Sequence, residues 1–263
     1  PVLYPNYPNI QDYIASTNIP IILKDTDITI DNSDISSTET IVYKTDATQL
    51  VIFTSGTTGQ PKACRLTYNN IYQSSLKWDK VLKFDDQDIY LNHMPLIHIS
   101  GLSIFFRALY NNFKMILTDF NAGNYFNYIK NNKITLISMV PSMLQKIIEH
   151  TSQSKIPGSL KAVILGGSEI NKKKIDIITK YQIPVYISYG MSETASGIAG
   201  FWYNPNQPKH YFPHKDIHID LYKSQIRITG DTVMKGYLND KNINSIFISE
   251  DLGKVYANKS FKI

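Results

Sequence analysis

The 263-residue sequence predicts a layered α/β fold, with a mostly parallel sheet covered by helices, followed by a small β-rich subdomain. The first observation is a regular alternation of apolar strands and helices between residues 125 and 189, which is typical of parallel sheets. The second is a run of short strands without intervening helices from residue 217 onward. We therefore predict an α/β region over residues 1–215 and a β-rich subdomain over residues 216–263.

The first 48 residues are the least regular part of the sequence. Repeated prolines argue against long helices there, and the acids, serines and asparagines of residues 25–39 predict a solvated connection. Residues 19–23 and 28–30 predict short strands, and Pro20 would place the first of them at a sheet edge or at a strand's first residue.

The remaining elements follow from apolar periodicity. In the α/β region we predict strands at residues 50–53, 89–91, 114–118, 134–140, 161–165 and 184–189, and helices at residues 67–82, 102–110, 125–131, 141–150 and 170–181. Pro141 fits the first turn of its helix, where the missing N–H costs nothing. In the β-rich subdomain we predict strands at residues 217–221, 225–229, 246–249, 254–256 and 261–263.

Composition and charge argue against several classes of protein. An apolar fraction of 43% can fill a core, and no apolar run approaches the length of a membrane span. The net charge of +5 is carried by scattered Lys and Arg, so an anionic small molecule explains it as well as nucleic acid does. Cys64 is the only cysteine, which excludes a disulfide framework and a Cys-based metal site and favours a cytoplasmic protein.

The stretch Phe53-Thr54-Ser55-Gly56-Thr57-Thr58-Gly59-Gln60-Pro61-Lys62 follows a predicted buried strand. Its hydroxyls and backbone N–H groups could wrap nucleotide phosphates, its glycines allow a close backbone approach, and Lys62 adds a positive charge. It is not a P-loop, because that pattern requires Ser or Thr directly after Gly-Lys. The structural alternative is a polar turn between a strand and a helix.

Two further turns each follow a predicted strand. Gly166-Gly167-Ser168 leaves room for a flat ring or a phosphate, although an ordinary tight turn explains it equally well. In Tyr189-Gly190-Met191-Ser192-Glu193-Thr194, the tyrosine can stack on a base and Glu193 offers a hard oxygen ligand for Mg²⁺. The Thr194 hydroxyl can hydrogen-bond a carboxylate or phosphate. The alternative is a strand-end turn with an exposed acid.

His93 and His98 are the other residues that could bind a metal. Their spacing of five does not place them on one helical face and no cysteine lies nearby, so a metal site there is not favoured. We interpret the neighbouring Asp88 as an exposed acid before a strand.

These motifs, in this order over residues 45–263, resemble those of the acyl-adenylate-forming superfamily. The resemblance implies the large-domain fold of those enzymes and ATP-dependent activation of a carboxylic acid. The acid would attack the α-phosphate, pyrophosphate would leave, and CoA would then displace AMP from the acyl-adenylate. Glu193 would hold Mg²⁺, and the catalytic residues would be Thr54, Lys62, Glu193 and Thr194.

The resemblance also implies which residues bind ATP. They are Thr54, Ser55, Gly56, Thr57, Thr58, Gly59, Lys62, Gly166, Gly167, Ser168, Tyr189, Gly190 and Asp251. Asp251 would bind the ribose, although the preceding Ser249-Glu250 departs from the expected Thr-Gly. Thr229-Gly230-Asp231 copies that tripeptide but lies inside the preceding block, which closes with Met234-Lys235-Gly236-Tyr237 and which we interpret as structural.

Residues 98–103 and 190–196 are most similar to the o-succinylbenzoate–CoA ligases of menaquinone synthesis. The similarity implies that His98 and Ser192 contact the acid. Arg107 lies in an apolar helix and is either exposed, paired with an acid, or bound to a second carboxylate of the substrate. The alternatives are another acyl- or aryl-CoA ligase, a non-catalytic adenylate-binding module and, more weakly, a nucleic-acid-binding protein.

Members of the superfamily continue into a small C-terminal lid domain with a catalytic lysine, and nothing in this sequence matches that domain. We therefore expect the lid domain to be absent, with nucleotide and acid binding retained, adenylation weakened and thioester formation lost. The sequence leaves a homodimer open.

Overall fold

The computed structural model describes residues 2–3, 22–23, 44–54, 61–150, 156–168, 178–238, 240 and 243–263. Several predictions fall wholly or partly outside these residues: the strand at 19–23 before residue 22, the solvated connection at 25–39, the strand at 28–30, the helix at 170–181 before residue 178, and residues 55–60 of the predicted phosphate loop.

Strands and helices alternate along most of the described chain. The strands are β1 (Val2–Leu3), β2 (Ile22–Leu23), β3 (Thr48–Thr54), β4 (Lys62–Thr67), β5 (Ile89–Asn92), β6 (Lys114–Leu117), β7 (Leu136–Met139), β8 (Ala162–Leu165), β9 (Val185–Met191), β10 (Ser196–Trp202), β11 (Phe212–Pro213), β12 (His218–Tyr222), β13 (Gln225–Thr229), β14 (Gly236–Tyr237), β15 (Ile246–Leu252), β16 (Lys254–Val255) and β17 (Phe261–Lys262). The α-helices are α1 (Tyr68–Leu82), α2 (Ile99–Asn111), α3 (Tyr125–Asn131) and α4 (Pro141–His150), and residues 178–181 are also helical.

A seven-stranded sheet with the order β11-β10-β9-β8-β7-β5-β6 forms the centre of the α/β region. The run from β9 to β6 is parallel throughout, whereas β10 and β11 are antiparallel and close one edge. The predicted mostly parallel sheet is therefore confirmed. The sequence did not predict β10 and β11.

Successive residues of the central strands point to opposite faces of the sheet, and both faces are covered by helices. Ile137 and Val163 pack with the apolar residues of α3 and α4. Leu136 and Ile164, one residue away in each strand, pack instead with Trp78 of α1 and with α2. Because both faces are covered, the carboxyl ends of the strands remain as the place for a ligand.

A second sheet, of five strands in the order β14-β4-β3-β1-β2, packs on the other side of α1 and α2. Strands β3 and β4 are antiparallel, and Thr54 lies opposite Lys62. The predicted phosphate loop therefore connects two strands, and the prediction missed that Lys62 opens β4. Strand β2 lies at the edge of this sheet, in agreement with one of the two placements inferred from Pro20.

Helix α1 begins with a reciprocal cap. Thr67 Oγ1 accepts a hydrogen bond of 3.1 Å from the Asn70 N–H, and Asn70 Oδ1 accepts one of 2.9 Å from the Thr67 N–H. Each bond satisfies an N–H that would otherwise lack a partner at the helix start. The amide of Asn70 also donates to the Val233 carbonyl at 2.8 Å, so the cap connects α1 to the β-rich part of the chain.

The β-rich part contains an antiparallel sheet with the order β12-β13-β15 and a small β16–β17 ribbon. Its buried side chains, including Ile226 and Ile228, share a core with Tyr189 of β9 and Ile198 of β10. The proposed boundary between residues 215 and 216 stays a prediction. None of the helices in the described part of the chain is long and apolar enough to cross a membrane.

The expectation that Asp88 is exposed is wrong, because its side chain is fully buried. Its Oδ1 lies 2.9 Å from Lys161 Nζ and accepts a hydrogen bond of 2.7 Å from Thr135 Oγ1. Thr135 and Lys161 directly precede β7 and β8. The carboxylate therefore connects the starts of three neighbouring strands, and these partners compensate for its burial.

Candidate functional site

A cavity of about 750 Å³ lies where β9 meets the β-rich part of the chain and the start of β4. Its lining includes these residues that the sequence assigned to the site: Thr54, Lys62, Gly167, Ser168, Tyr189, Gly190, Glu193 and Asp251. They come from four segments that are far apart in the sequence. The fold therefore brings together the residues that were predicted to contact one nucleotide.

Lys62 supplies a positive charge to the cavity. Its Nζ lies 3.7 Å from Glu250 Oε1 and 5.6 Å from the centre of the Tyr237 ring. Both side chains of the ion pair are substantially exposed, at 36% for Lys62 and 59% for Glu250, so the pair is weak. The ammonium group can therefore exchange this carboxylate for an anionic ligand at little cost.

The turn after β8 is shaped by two glycines. Gly167 has φ +81°, a left-handed conformation that side chains disfavour, and it lines the cavity. Gly166 lies outside the lining, where an added Cβ would approach the Ser188 carbonyl oxygen at 3.4 Å. Gly166 thus allows the turn to pack against β9, and Gly167 and Ser168 face the cavity.

A hydrogen bond joins the side chains of Tyr189 and Asp251. The Tyr189 hydroxyl donates to Asp251 Oδ2 at 2.8 Å, and the Asp251 N–H donates to Ser249 Oγ at 3.2 Å. Burial raises the pKa of Tyr189 well above its usual value, so the hydroxyl remains a donor at neutral pH. The competing Asp231 pairs with Lys77 at 3.0 Å and lies outside the cavity lining, which favours the choice of Asp251.

The turn that carries Glu193 depends on a close approach of two strands. An added Cβ at Gly190 would lie 2.1 Å from the Ser196 carbonyl oxygen, so no other residue fits there without a backbone shift. This close approach of β9 and β10 brackets the short 3-10 turn Ser192–Thr194. The result is that Glu193 is held at the wall of the cavity.

The alternative of an exposed acid is wrong for Glu193, which is 9% exposed. Its Oε1 accepts a hydrogen bond of 2.9 Å from the Tyr237 hydroxyl. Among the described residues, no cluster of three or more His, Cys, Asp or Glu could hold a metal unaided. Mg²⁺ nevertheless fits a single carboxylate at a phosphate site, because it binds through one or two carboxylates together with phosphate oxygens.

Thr194 is fully buried, and its hydroxyl is engaged with the backbone. It accepts from the Met191 N–H at 3.1 Å and lies 2.8 Å from the Ser196 carbonyl oxygen, to which it donates. These bonds hold the turn, and a contact of Thr194 with a ligand stays a prediction. Ser192 also lies outside the cavity lining, and its carbonyl oxygen accepts from the Ala195 N–H at 3.1 Å.

Arg107 is buried, and its neighbours Ser196 and Trp78 were not predicted from the sequence. It is 2% exposed, its Nη2 donates to Ser196 Oγ at 2.6 Å, and its guanidinium lies 4.3 Å from the centre of the Trp78 ring. No carboxylate in the described part of the chain forms an ion pair with it, and its Nε lacks a hydrogen-bond partner there. The exposed alternative is therefore wrong.

The two histidines considered for a metal lie apart from the cavity lining. His98 caps the start of α2 through its extended backbone, without a side-chain cap bond, and its contact with the acid stays a prediction. The buried His93 has its Nδ1 3.0 Å from the Tyr125 hydroxyl. Burial lowers the pKa of His93 to about 4, so the ring is neutral at neutral pH.

Comparison with known proteins decides the family. The AMP-binding enzyme family matches residues 17–238 of the chain. The chain belongs to the AMP-binding enzyme family. The 2-succinylbenzoate–CoA ligase of Staphylococcus aureus strain bovine RF122 / ET3-1 is 31% identical over 246 residues, covering 84% of this chain and 49% of the relative. The enzyme of strain MSSA476 is 32% identical over 248 residues, with the same two coverages.

Solved structures agree with this assignment of the chain to the AMP-binding enzyme family. The o-succinylbenzoate coenzyme A synthetase of Bacillus subtilis in complex with AMP has a TM-score of 0.77 and 28% identity, covering 83% of this chain and 49% of that one. Its complex with the acyl-adenylate intermediate OSB-AMP has a TM-score of 0.75 and 29% identity, with the same coverages. The predicted fold and the resemblance are confirmed. The chain spans about half the length of the curated relatives it matches.

The sequence missed several residues of the cavity, among them Tyr211, Tyr237 and Phe247. Tyr237 belongs to a block that we interpreted as structural, yet its hydroxyl bonds Glu193. The available signal was its place directly after Gly236 at the end of that block. The sequence did not indicate that β14 pairs with β4, and this pairing brings the tyrosine next to the strand that begins at Lys62.

Proposed function

We propose that this chain binds ATP with Mg²⁺ and a carboxylic acid, and that the whole protein forms an acyl-adenylate and then a CoA thioester. The observation that carries the proposal is that Lys62, Tyr189, Glu193 and Asp251 line the same cavity. The similarity to a Bacillus subtilis synthetase solved with AMP, and with ATP and magnesium ion, supports the proposal.

Each side of the cavity would contact a different part of the nucleotide. Lys62 and Thr54, with the loop between them, would bind the phosphates by charge and hydrogen bonding. Gly167 and Ser168 would border the adenine, and the Tyr189 ring would offer it an aromatic face. Asp251 lies beside the Tyr189 hydroxyl, where its carboxylate could accept hydrogen bonds from ribose.

Glu193 would hold Mg²⁺ next to the phosphates. When bound, the ion supplies positive charge that stabilises the pyrophosphate leaving group. The burial of Glu193 strengthens this interaction, since charges attract more strongly away from water. Lys62 would add a second cation on the same phosphates.

The acid is proposed to be o-succinylbenzoate, with His98, Ser192 and Arg107 in contact with it. This acid has two carboxylates, one to be activated and an aromatic one that remains. The guanidinium of Arg107 is buried without a carboxylate partner among the described residues, and burying an unpaired charge is costly. The carboxylate of the substrate that is not activated would supply the missing negative charge. A fatty acid would not, because its only carboxylate is the one that is activated.

The rival candidates are an acyl- or aryl-CoA ligase for a different acid and a non-catalytic adenylate-binding module. Acid-dependent exchange of labelled pyrophosphate into ATP, measured on the full-length protein, separates them. We expect exchange with o-succinylbenzoate and none with a fatty acid of similar size. Exchange with a different acid only would mean that this acid, rather than o-succinylbenzoate, is the substrate. No exchange with any acid would favour the binding module.

We also propose that the protein is cytoplasmic, as its single buried thiol Cys64 suggests. A homodimer stays a prediction, which the molecular mass in solution would test.

A further inference from the structure

Tyr237 lies in the cavity between two groups that the proposed function uses. Its hydroxyl is 2.9 Å from Glu193 Oε1, and its ring centre is 5.6 Å from Lys62 Nζ. Its backbone belongs to β14, which places it opposite Cys64 in β4. The residue therefore connects the strand that opens with Lys62 to the turn that carries Glu193.

The segment that carries Tyr237 is fixed on both sides by backbone hydrogen bonds. The Met234 N–H donates to the Glu193 carbonyl at 2.8 Å, and the Leu238 N–H donates to the Ala63 carbonyl at 2.8 Å. The position of the Tyr237 hydroxyl relative to Glu193 is thus set by the fold. A donor held in this way can restrict the rotation of a flexible glutamate side chain.

The chemistry of this contact leaves room for a metal. Among the described residues, the hydrogen-bond donor to the Glu193 carboxylate is the Tyr237 phenol, and it contacts only the Oε1 atom. The second carboxylate oxygen then remains available to a cation.

We propose that Tyr237 is a positioning residue that orients the Glu193 carboxylate toward the Mg²⁺ accompanying ATP. This inference rests on the proposed function, in which Glu193 holds that ion. Groups that orient metal ligands in this manner typically change metal affinity or activity by about 10–100-fold when they are removed. Tyr237 is assigned no contact with the acid or with the reacting atoms.

The test is to measure ATP binding to Tyr237→Phe by calorimetry over a series of Mg²⁺ concentrations. We expect the Mg²⁺ concentration for half-maximal ATP binding to rise about 10-fold or more, with ATP affinity approaching that of the parent at saturating Mg²⁺. The matched control is Tyr189→Phe, which removes a hydroxyl that donates to Asp251 in the same cavity. That variant should weaken ATP binding without moving the Mg²⁺ midpoint.

A double-mutant cycle separates orientation of Glu193 from a general structural effect. If Tyr237 acts through Glu193, Tyr237→Phe should cause little further shift in a Glu193→Gln background. Two results would overturn this inference and leave the proposed function standing. One is an equal shift of the Mg²⁺ midpoint in both backgrounds, and the other is an unchanged midpoint in Tyr237→Phe when ATP binding by the parent depends on Mg²⁺. A parent that binds no ATP at any Mg²⁺ concentration would overturn both the proposed function and this inference.

Discussion

At the scale of single residues, Glu193 is the side chain whose chemistry the proposed function uses most directly. We expect Glu193→Gln to weaken Mg²⁺-dependent ATP binding by about 10-fold or more, because an amide is a much poorer Mg²⁺ ligand than a carboxylate. Binding of the free acid should change little. Titration of each ligand separately tests this, and equal ATP binding by mutant and parent at limiting Mg²⁺ would contradict it.

Arg107 provides a test of the acid. Arg107→Ala should raise the dissociation constant for o-succinylbenzoate by about 10–150-fold, which corresponds to the 1.5–3 kcal/mol of a charge-assisted hydrogen bond, and leave ATP binding nearly unchanged. A matched control is Arg227→Ala, which removes an arginine whose surface pair with Asp220 has a distance of 2.6 Å. If acid affinity is the same in the two variants, Arg107 has only a structural role.

At the scale of elements, the close approach of β9 and β10 places Glu193 in the cavity. Gly190→Ala should lower the free energy of unfolding by about 1–3 kcal/mol, because the new Cβ would lie 2.1 Å from the Ser196 carbonyl oxygen. Gly158→Ala is the control, since an added Cβ there meets nothing within 4 Å. Denaturant unfolding of both variants measures the difference, and comparable stability would mean that the strands separate at no cost.

Elements with local signals were predicted well, and elements with distant partners were not. The bounds predicted for α3, α4 and β13 agree with the structure because apolar periodicity and Pro141 act within each segment. Strands β10 and β14 were missed because their pairing depends on chain segments elsewhere. The same reason explains the site: the motifs indicated Tyr189 and Glu193, but the burial of Asp88 and the contact of Tyr237 depend on remote partners.

At the scale of the whole molecule, two buried histidines make stability depend on pH. Burial lowers the pKa of His93 to about 4 and that of His214 to about 3, whereas both should titrate near 6.5 when unfolded. The unfolded chain therefore binds more protons between about pH 4 and 6.5, and the free energy of unfolding falls as the pH is lowered through that window. Each histidine contributes up to about 1.4 kcal/mol per pH unit.

Urea unfolding at a series of pH values tests this dependence. His93→Asn should reduce the slope between about pH 4 and 6.5, whereas His218→Gln, which changes an exposed histidine, is the control and should leave the slope nearly as it is. A slope that is identical in the parent and His93→Asn would show that His93 does not contribute.

The hydrogen bond between Tyr189 and Asp251 crosses from the seven-stranded sheet to the sheet of β12, β13 and β15. A ligand that touches both sides of the cavity binds only while the two sheets are docked, so its binding free energy opposes their separation. At a free ligand concentration of about 100 times the dissociation constant, this stabilisation is about 2.7 kcal/mol. Amide hydrogen exchange in β13 and β15 should then slow by about 100-fold with ATP, and more than in α3. Equal slowing everywhere would mean that the two sheets part only when the whole chain unfolds.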